Sequence, residues 1–290
     1  MLPLYCRTAA FLTLMTGLFL GTTTAAVAQT PNIVTSIKPL QLIAIAVTGE
    51  PSRVESLLSP RFSPHDYQFR PSDREMLERA DVVFWIGPGF ETFLRGPLTN
   101  LPARVKVVAL QPPGTQLSED GHIWMDPVHA IAIARRMAEA LAEVEPGQRD
   151  RWQRNAEQLA AALMREDESL RQELGSLRQP RQFLVAHDTF DYFEDRYHLR
   201  HAAALADNAE QPSGARNLLS VQKMLDEGRI GCVFREPQYE PKVLQTLLRD
   251  RPQMRVVTLD TMATDISLKP EGIVEFYREL GRGAVSCLKP

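Results

Sequence analysis

The chain has 290 residues, 44% of them hydrophobic, with 33 basic against 36 acidic side chains. That composition excludes a disordered or fibrous protein and suits one or two globular domains with a sizeable core. A formal net charge of −3 leaves no basic footprint for nucleic acid and no polybasic patch for a membrane surface.

Residues 1–28 read as a separate object. Arg7 precedes an apolar run from Ala9 to Leu20, and Ala26-Val27-Ala28 has the small-x-small form of a cleavage site. This is the pattern of a secretory signal peptide, too short and wrongly flanked for a membrane span. Its removal takes away one arginine and no acid, so the mature charge is 32 minus 36, or −4. Cys6 lies before the apolar run, whereas a lipid-anchor cysteine would follow it, so the expected product is soluble and exported. Cys232 and Cys287 remain, and in an oxidising compartment an even count suggests that they pair.

Strand-like and helix-like segments then alternate. Ile33 to Ile37 reads as a strand and Pro39 to Val47 as a helix stopped by Gly49. Arg53 to Leu58 is strand-like. Ser72-Asp73-Arg74-Glu75 has the form of a capping box that opens a short helix ending before Asp81. Val82 to Ile86 is a continuous apolar run, as expected of a strand buried on both faces, and Val105 to Leu110 is another. Asp126-Pro127 places an N-cap residue before a proline at the first helical position, and that helix runs to about Val144. Gly87-Pro88-Gly89 lacks the spacing of a dinucleotide fingerprint and reads as a turn.

From Gln148 to Leu177 there is no proline, and no glycine before Gly175. Apolar residues recur at Trp152, Ala156, Leu159, Leu163, Leu170, Leu174 and Leu177, mostly three or four apart, which predicts one helix with a single apolar stripe. A helix of about 28 residues spans roughly 42 Å. Dividing two strand–helix series, it reads as a stiff connector between lobes, with a coiled-coil arm as the alternative. Phe183 to Ala186 is the next strand, and Asp188 is the expected cap of a helix to Tyr197. A helix from Pro212 to Glu227, a strand from Ile230 to Phe234, a helix near Glu240-Pro241, a strand from Met254 to Leu259 and a helix from Glu271 to about Ser286 complete the chain. The predicted fold class is α/β, with two parallel-sheet lobes: a signal segment over 1–28, a first lobe over 29–146, a connecting helix over 147–178 and a second lobe over 179–290.

Three of six histidines, His65, His122 and His187, fall where strands lead into loops and helices, as does Asp260. Ligands of open parallel sheets collect at such carboxyl ends. Three imidazoles and a carboxylate suit a borderline-soft divalent ion such as zinc. The spacings of 57, 65 and 73 residues match no local zinc motif. His129, His198 and His201, in or just after predicted helices, read as solvated or core-edge residues.

Ser63-Pro64-His65-Asp66-Tyr67 with Arg70-Pro71-Ser72-Asp73, His122-Ile123-Trp124-Met125-Asp126-Pro127, and Ala186-His187-Asp188 with Tyr192-Phe193 occur in that order. Together they resemble the metal-binding segments of the zinc-type cluster A-I solute-binding proteins of ABC transporters. Gly231-Cys232-Val233-Phe234 with Glu236-Pro237-Gln238, and the ending Ser286-Cys287-Leu288-Lys289, extend the resemblance over essentially the whole mature chain.

The resemblance implies a periplasmic protein of two α/β lobes joined by a long rigid helix. It implies zinc held between the lobes for delivery to a membrane permease, by His65 and His122 from the first lobe and His187 and Asp260 from the second. It further implies the Cys232–Cys287 disulfide; the expected state is a monomer. Manganese-type relatives carry a carboxylate where this chain has His187, which favours zinc over manganese or another divalent ion. Two departures stand out. The loop from Gln111 to Gly121 has no histidine, unlike the His- and acid-rich loop common in zinc-type members. Thr261 follows Asp260 where the family usually has proline, which leaves water or Asp265 as alternatives for the fourth ligand. The rival from another class is a zinc hydrolase with Asp260 or Glu236 as general base, though nothing resembles a helix-borne His-Glu-x-x-His pair. A third, a surface adhesin of the same fold, is opposed by the absence of a lipid-anchor cysteine and by the cysteine pair.

Overall fold

A computed structural model of the chain describes residues 30–111, 121–177, 179–208, 211–212, 214–239 and 241–290. Residues 1–29, with the expected signal segment and Cys6, and residues 112–120 of the loop before His122 lie outside them.

The first lobe is built from β1 (Ile33–Thr35), α1 (Lys38–Thr48), β2 (Val54–Ser56), α2 (Pro71–Arg79), β3 (Val82–Trp85), α3 (Arg95–Thr99), β4 (Lys106–Ala109) and α4 (Pro127–Val144). Its four strands lie in the order β2-β1-β3-β4, all parallel. After α5 (Arg149–Gly175) come β5 (Phe183–Val185), α6 (Asp191–Tyr197), β6 (Ala203–Ala204), β7 (Ala206–Asn208), β8 (Gln211–Pro212), α7 (Ala215–Asp226), β9 (Cys232–Arg235), α8 (Lys242–Leu248), β10 (Arg255–Thr258) and α9 (Gly272–Leu288). Here the parallel order is β10-β9-β5-β6, and β7 and β8 form a small antiparallel ribbon. The sequence carried no alternation strong enough to reveal β6, β7 and β8, each only two or three residues long.

Period-two geometry explains the apolar runs. Along β3 and just beyond it, Val82, Phe84 and Ile86 enter one core while Val83 and Trp85 enter another. Along β5, Phe183 and Val185 point one way, Leu184 and Ala186 the other. Each sheet is therefore covered on both faces, which is why its strands need no polar alternation. The inner faces of the two sheets share one continuous core with α1, α4, α5 and α9, whereas each outer face has a core of its own.

Helix ends follow local chemistry, with two departures from expectation. Gly49 closes α1 in the left-handed conformation, φ 74°, where a side chain would be strained. Asp126 caps α4 by accepting a 2.7 Å bond from the Val128 N–H. The expected capping box at Ser72 is displaced by two residues. Pro71 is already the first helical residue, and Asp73 reaches back to the Arg70 N–H at 2.7 Å. Proline's fixed φ suits the first turn, so it pulls the helix start forward of Ser72. Likewise Asp188 does not cap α6, which starts at Asp191 after an N-cap at Phe190.

α5 is 27 residues long and buries Trp152, Ala156, Leu159, Ala160, Leu163, Asp167, Leu170 and Leu174. That stripe lies in the shared core between the two sheets in chain order, packed on α1, α4 and α9. Its approach to α9 is close enough that a Cβ on Gly281 would stand 2.0 Å from the Leu170 side chain. Cys232 on β9 and Cys287 on α9 are joined with Cα atoms 5.7 Å apart, pinning the last helix to its sheet. Closing a 55-residue loop stabilises by about 4 kcal/mol in the chain-entropy account. Among the described residues no helix is long and apolar enough to cross a membrane.

Candidate metal centre

His65 sits in the loop between β2 and α2. Pro64 before it is buried, and the His65 N–H donates to Ser63 Oγ at 3.2 Å. The far end of the loop is pinned by Asp73, whose carboxylate accepts from the Tyr67 hydroxyl at 2.9 Å as well as from Arg70. Partial burial and the Asp73 carboxylate both raise the Tyr67 pKa, so the phenol stays a donor. Prolines and a caught carboxylate thus limit the freedom that a ligand-bearing loop would lose on binding.

His122 is buried and opens the short turn Ile123–Met125 before α4. Phe90 lies edge-on to both His65 and His122, with ring centroids 5.1 and 5.0 Å away, and Trp124 lies 5.2 Å from His122. The Trp124 indole N–H donates to the Thr261 carbonyl at 2.9 Å, and the Trp124 carbonyl accepts from the Tyr277 hydroxyl at 2.5 Å. Both contacts tie the first lobe to the second.

His187 follows β5 and is 4% exposed. Its Nδ1 stands 3.0 Å from Glu236 Oε2, just past the end of β9, and Glu236 Oε1 accepts from the Thr261 hydroxyl at 2.5 Å. A carboxylate accepting at Nδ1 places the proton of the neutral ring there and leaves the Nε2 lone pair on the opposite edge. That Nε2 is buried with no hydrogen-bond partner among the described residues. An orphaned nitrogen of this kind costs free energy unless something else is bound to it.

The three imidazoles converge. One ligand nitrogen from each of His65, His122 and His187 lies within 4.8 Å of the others, and the ring centroids are 5.3, 5.4 and 5.5 Å apart. His65 Nε2 and His122 Nε2 are 3.4 Å apart. That is long for an N–H···N bond, and it equals the ~3.3–3.4 Å edge of a tetrahedron with Zn–N bonds near 2.05 Å. The rings enclose a cavity of ≈ 20 Å³ whose walls include Trp124, Glu236, Tyr239 and Thr261. This is room for one ion or one water, not for an organic substrate.

Asp260, the expected fourth ligand, stands apart from them. Its Oδ1 accepts from Gln238 Nε2 at 2.9 Å, the Thr264 hydroxyl at 3.1 Å and the Met262 N–H at 3.2 Å, and Oδ2 accepts from the Thr264 N–H. The same Gln238 Nε2 and Thr264 hydroxyl reach across to the Pro60 carbonyl at 2.7 and 3.2 Å, and the Lys38 ammonium donates to the Thr264 carbonyl at 2.8 Å. Burial pulls the Lys38 pKa down, with Asp260 and Asp265 opposing the shift. Asp260 therefore organises a turn that latches the second lobe onto the first. Neither it nor Asp265 lines the cavity among the imidazoles.

The other histidines do other work. His129 lies edge-on to Tyr192 at 5.1 Å, and His198 ends α6 at φ 56°. His201 joins Asp188 and Asp191 in a second convergence, but its Nδ1 is 2.8 Å from Glu194 Oε1. That hydrogen bond is the main cause raising the His201 pKa, with the charges of Asp188 and Asp191 adding to it. His201 thus spends its Nδ1 on a carboxylate, as His187 does on Glu236.

Sequence reasoning quoted Glu236 in a motif and cast it as a rival's general base, and it missed Trp124 and Thr261 as cavity walls and Phe90 as the ring beside two of the imidazoles. The strand-end rule that found the histidines applies equally to Glu236, which directly follows β9.

The family described as ZnuA, zinc-uptake complex component A, periplasmic, matches residues 33–280. The high-affinity zinc uptake system protein ZnuA of Yersinia pestis is 31% identical, over 89% of this chain and 91% of that protein. Its namesake from Haemophilus ducreyi is 28% identical, over 95% of this chain and 98% of the relative. A crystal structure of a 138–173 deletion mutant of ZnuA with zinc bound superposes with a TM-score of 0.79 at 26% identity, over 90% of this chain and 99% of the other. With a match over most of its length, the chain belongs to the ZnuA family of zinc-uptake components.

Proposed function

We propose that this protein captures Zn²⁺ between its lobes and hands it to the membrane permease of an ABC importer. The observation that carries the reading is the meeting of three imidazoles from both lobes around a one-ion cavity, with His187 Nε2 buried and unpartnered. In this reading His65, His122 and His187 are the ligands, and water takes the fourth position in place of Asp260. Three neutral imidazoles favour zinc over manganese, which prefers carboxylate oxygen. The relatives named for zinc uptake support the same choice.

Release needs only that the ligand set be separated. His187 belongs to the second lobe and the other two to the first, so a small displacement between lobes parts His187 from the His65–His122 pair and breaks up the set. The shared core around α5, with the Asp260 turn clasping Pro60, keeps that displacement small. Solution scattering with and without zinc should give nearly superposable profiles; a large change in radius of gyration would contradict this. Glu236, the general base of the hydrolase alternative, is spent on His187 and Thr261. We place the protein in the periplasm, exported by residues 1–28 and acting as a monomer. Metal analysis of protein purified without chelator, followed by competition titration, tests the reading. One zinc per chain, held more tightly than manganese and weakening as pH falls through the ordinary imidazole range near 6.5, is expected. A protein that takes up no zinc under these conditions removes it.

A further inference from the structure

We propose that Thr261 is a positioning residue for metal capture, acting on His187 through Glu236 and on His122 through Trp124. The inference rests on the zinc-capture reading of the same cavity and adds what aims its ligands. Thr261 is 2% exposed, on the turn after β10. Its hydroxyl donates to Glu236 Oε1 at 2.5 Å while Glu236 Oε2 takes His187 Nδ1 at 3.0 Å. A glutamate carboxylate turns easily about its last bond. Tethering one oxygen aims the other, which holds the His187 ring in the tautomer whose Nε2 faces the cavity. The Thr261 carbonyl meanwhile accepts the Trp124 N–H at 2.9 Å, and the Trp124 ring lies against His122 at 5.2 Å.

One residue is thus joined to a ligand of each lobe. The backbone contact exists whatever the side chain; the contact to Glu236 needs a hydroxyl.

The test compares Thr261→Val, which keeps shape and loses the donor, with Thr261→Ser, which keeps the donor. In the metal-free protein, two-bond ¹⁵N–¹H spectra report the His187 tautomer. Wild type and Thr261→Ser are expected to carry the proton on Nδ1. Thr261→Val should show a mixture, with zinc bound about 10-fold more weakly by competition titration, the low end of what losing an outer partner costs. Glu236→Gln should weaken zinc by about 10- to 100-fold. Adding Thr261→Val to it should then cost almost nothing more, because the hydroxyl acts only through the carboxylate.

An unchanged tautomer and affinity in Thr261→Val overturns the proposal. So does Thr261→Ser being as weak as Thr261→Val, since that outcome marks a packing role. Full additivity in the double variant overturns it too, and this arm does not depend on how much stability the valine costs. Should wild type take no zinc while its His187 tautomer still follows the Thr261 hydroxyl, zinc capture fails as a function and the Thr261–Glu236–His187 link stands.

Discussion

Each lobe buries a glutamate just beyond a strand end, and the two are used in opposite ways. In the first lobe Glu91 is fully buried and accepts from the Ser36 hydroxyl at 2.5 Å and from the Ile86 and Gly87 N–H groups at 3.0 Å each. All three donors belong to its own lobe, and they close the turn that carries Phe90 against His65 and His122. In the second lobe Glu236 spends one oxygen on an imidazole and the other on Thr261. The same kind of side chain braces a turn in one lobe and holds an imidazole, a proposed ligand, in the other. Two of Glu91's three donors are backbone groups, whereas both partners of Glu236 are side chains that substitution can break singly.

The contrast breaks most sharply at the proposed ligands. His187→Ala or His122→Ala should weaken zinc by at least about 100-fold, the share of one ligand in a binding energy of roughly 10–16 kcal/mol, with little change in the melting of the metal-free protein. Competition titration reads it; a loss under tenfold removes the residue from the ligand set. Next comes the covalent asymmetry, because residues 29–146 contain no cysteine while the second lobe is closed by Cys232–Cys287. Cys287→Ser should cost about 4 kcal/mol of stability in urea melts. An equal loss on reduction of wild type is expected, and no loss would mean that packing of α9 alone suffices. Glu91→Ala should come after that. It leaves three buried donors unmet, so about 3 kcal/mol of stability is lost while zinc affinity in the folded fraction stays within about threefold. A collapse of affinity without loss of stability would assign Glu91 to the site instead of the frame.

The two lobes also differed in how far the amino-acid order revealed them. Strands buried on both faces announce themselves as unbroken apolar runs, so Val82 to Ile86 and Phe183 to Ala186 were plain. β6 to β8 were not, because two or three residues carry no period. His65, His122 and His187 were legible as a set only because strand ends gather on one side of a parallel sheet. Asp260 satisfied the same rule and yet turned to Gln238 and Thr264, since a carboxylate followed by backbone N–H groups two and four residues on is captured locally first. Glu236 went the other way and reached His187 and Thr261. What a strand-end position cannot reveal is which neighbour reaches a side chain first.

That competition can be tested at Asp260 directly. Asp260→Ala removes the acceptor that organises Gln238 and Thr264 over Pro60. Zinc release should quicken by about 3- to 10-fold through looser apposition of the lobes, with binding stoichiometry kept. Stopped-flow transfer of zinc to a chelator reads the rate. If Asp260→Ala instead matched His187→Ala in affinity, the carboxylate would return to the ligand set and the cavity would have to close around it.

The smallest effect separates two imidazole–carboxylate pairs within the second lobe. His187–Glu236 faces a metal cavity, whereas His201–Glu194 has Asp188 and Asp191 beside it. The His201 pKa is raised, chiefly by Glu194, so the folded protein holds that proton more tightly than the unfolded chain does. The stabilisation this gives is complete below the unfolded value near 6.5 and is lost as pH rises through the higher folded value. Glu194→Gln keeps an acceptor for the His201 N–H but gives up the charge. Its stability deficit relative to wild type should be larger near about pH 6 than at about pH 9. Paired urea melts at those two pH values measure it. A deficit that does not change with pH would mean that Glu194, 1% exposed, acts through packing and neutral hydrogen bonds alone.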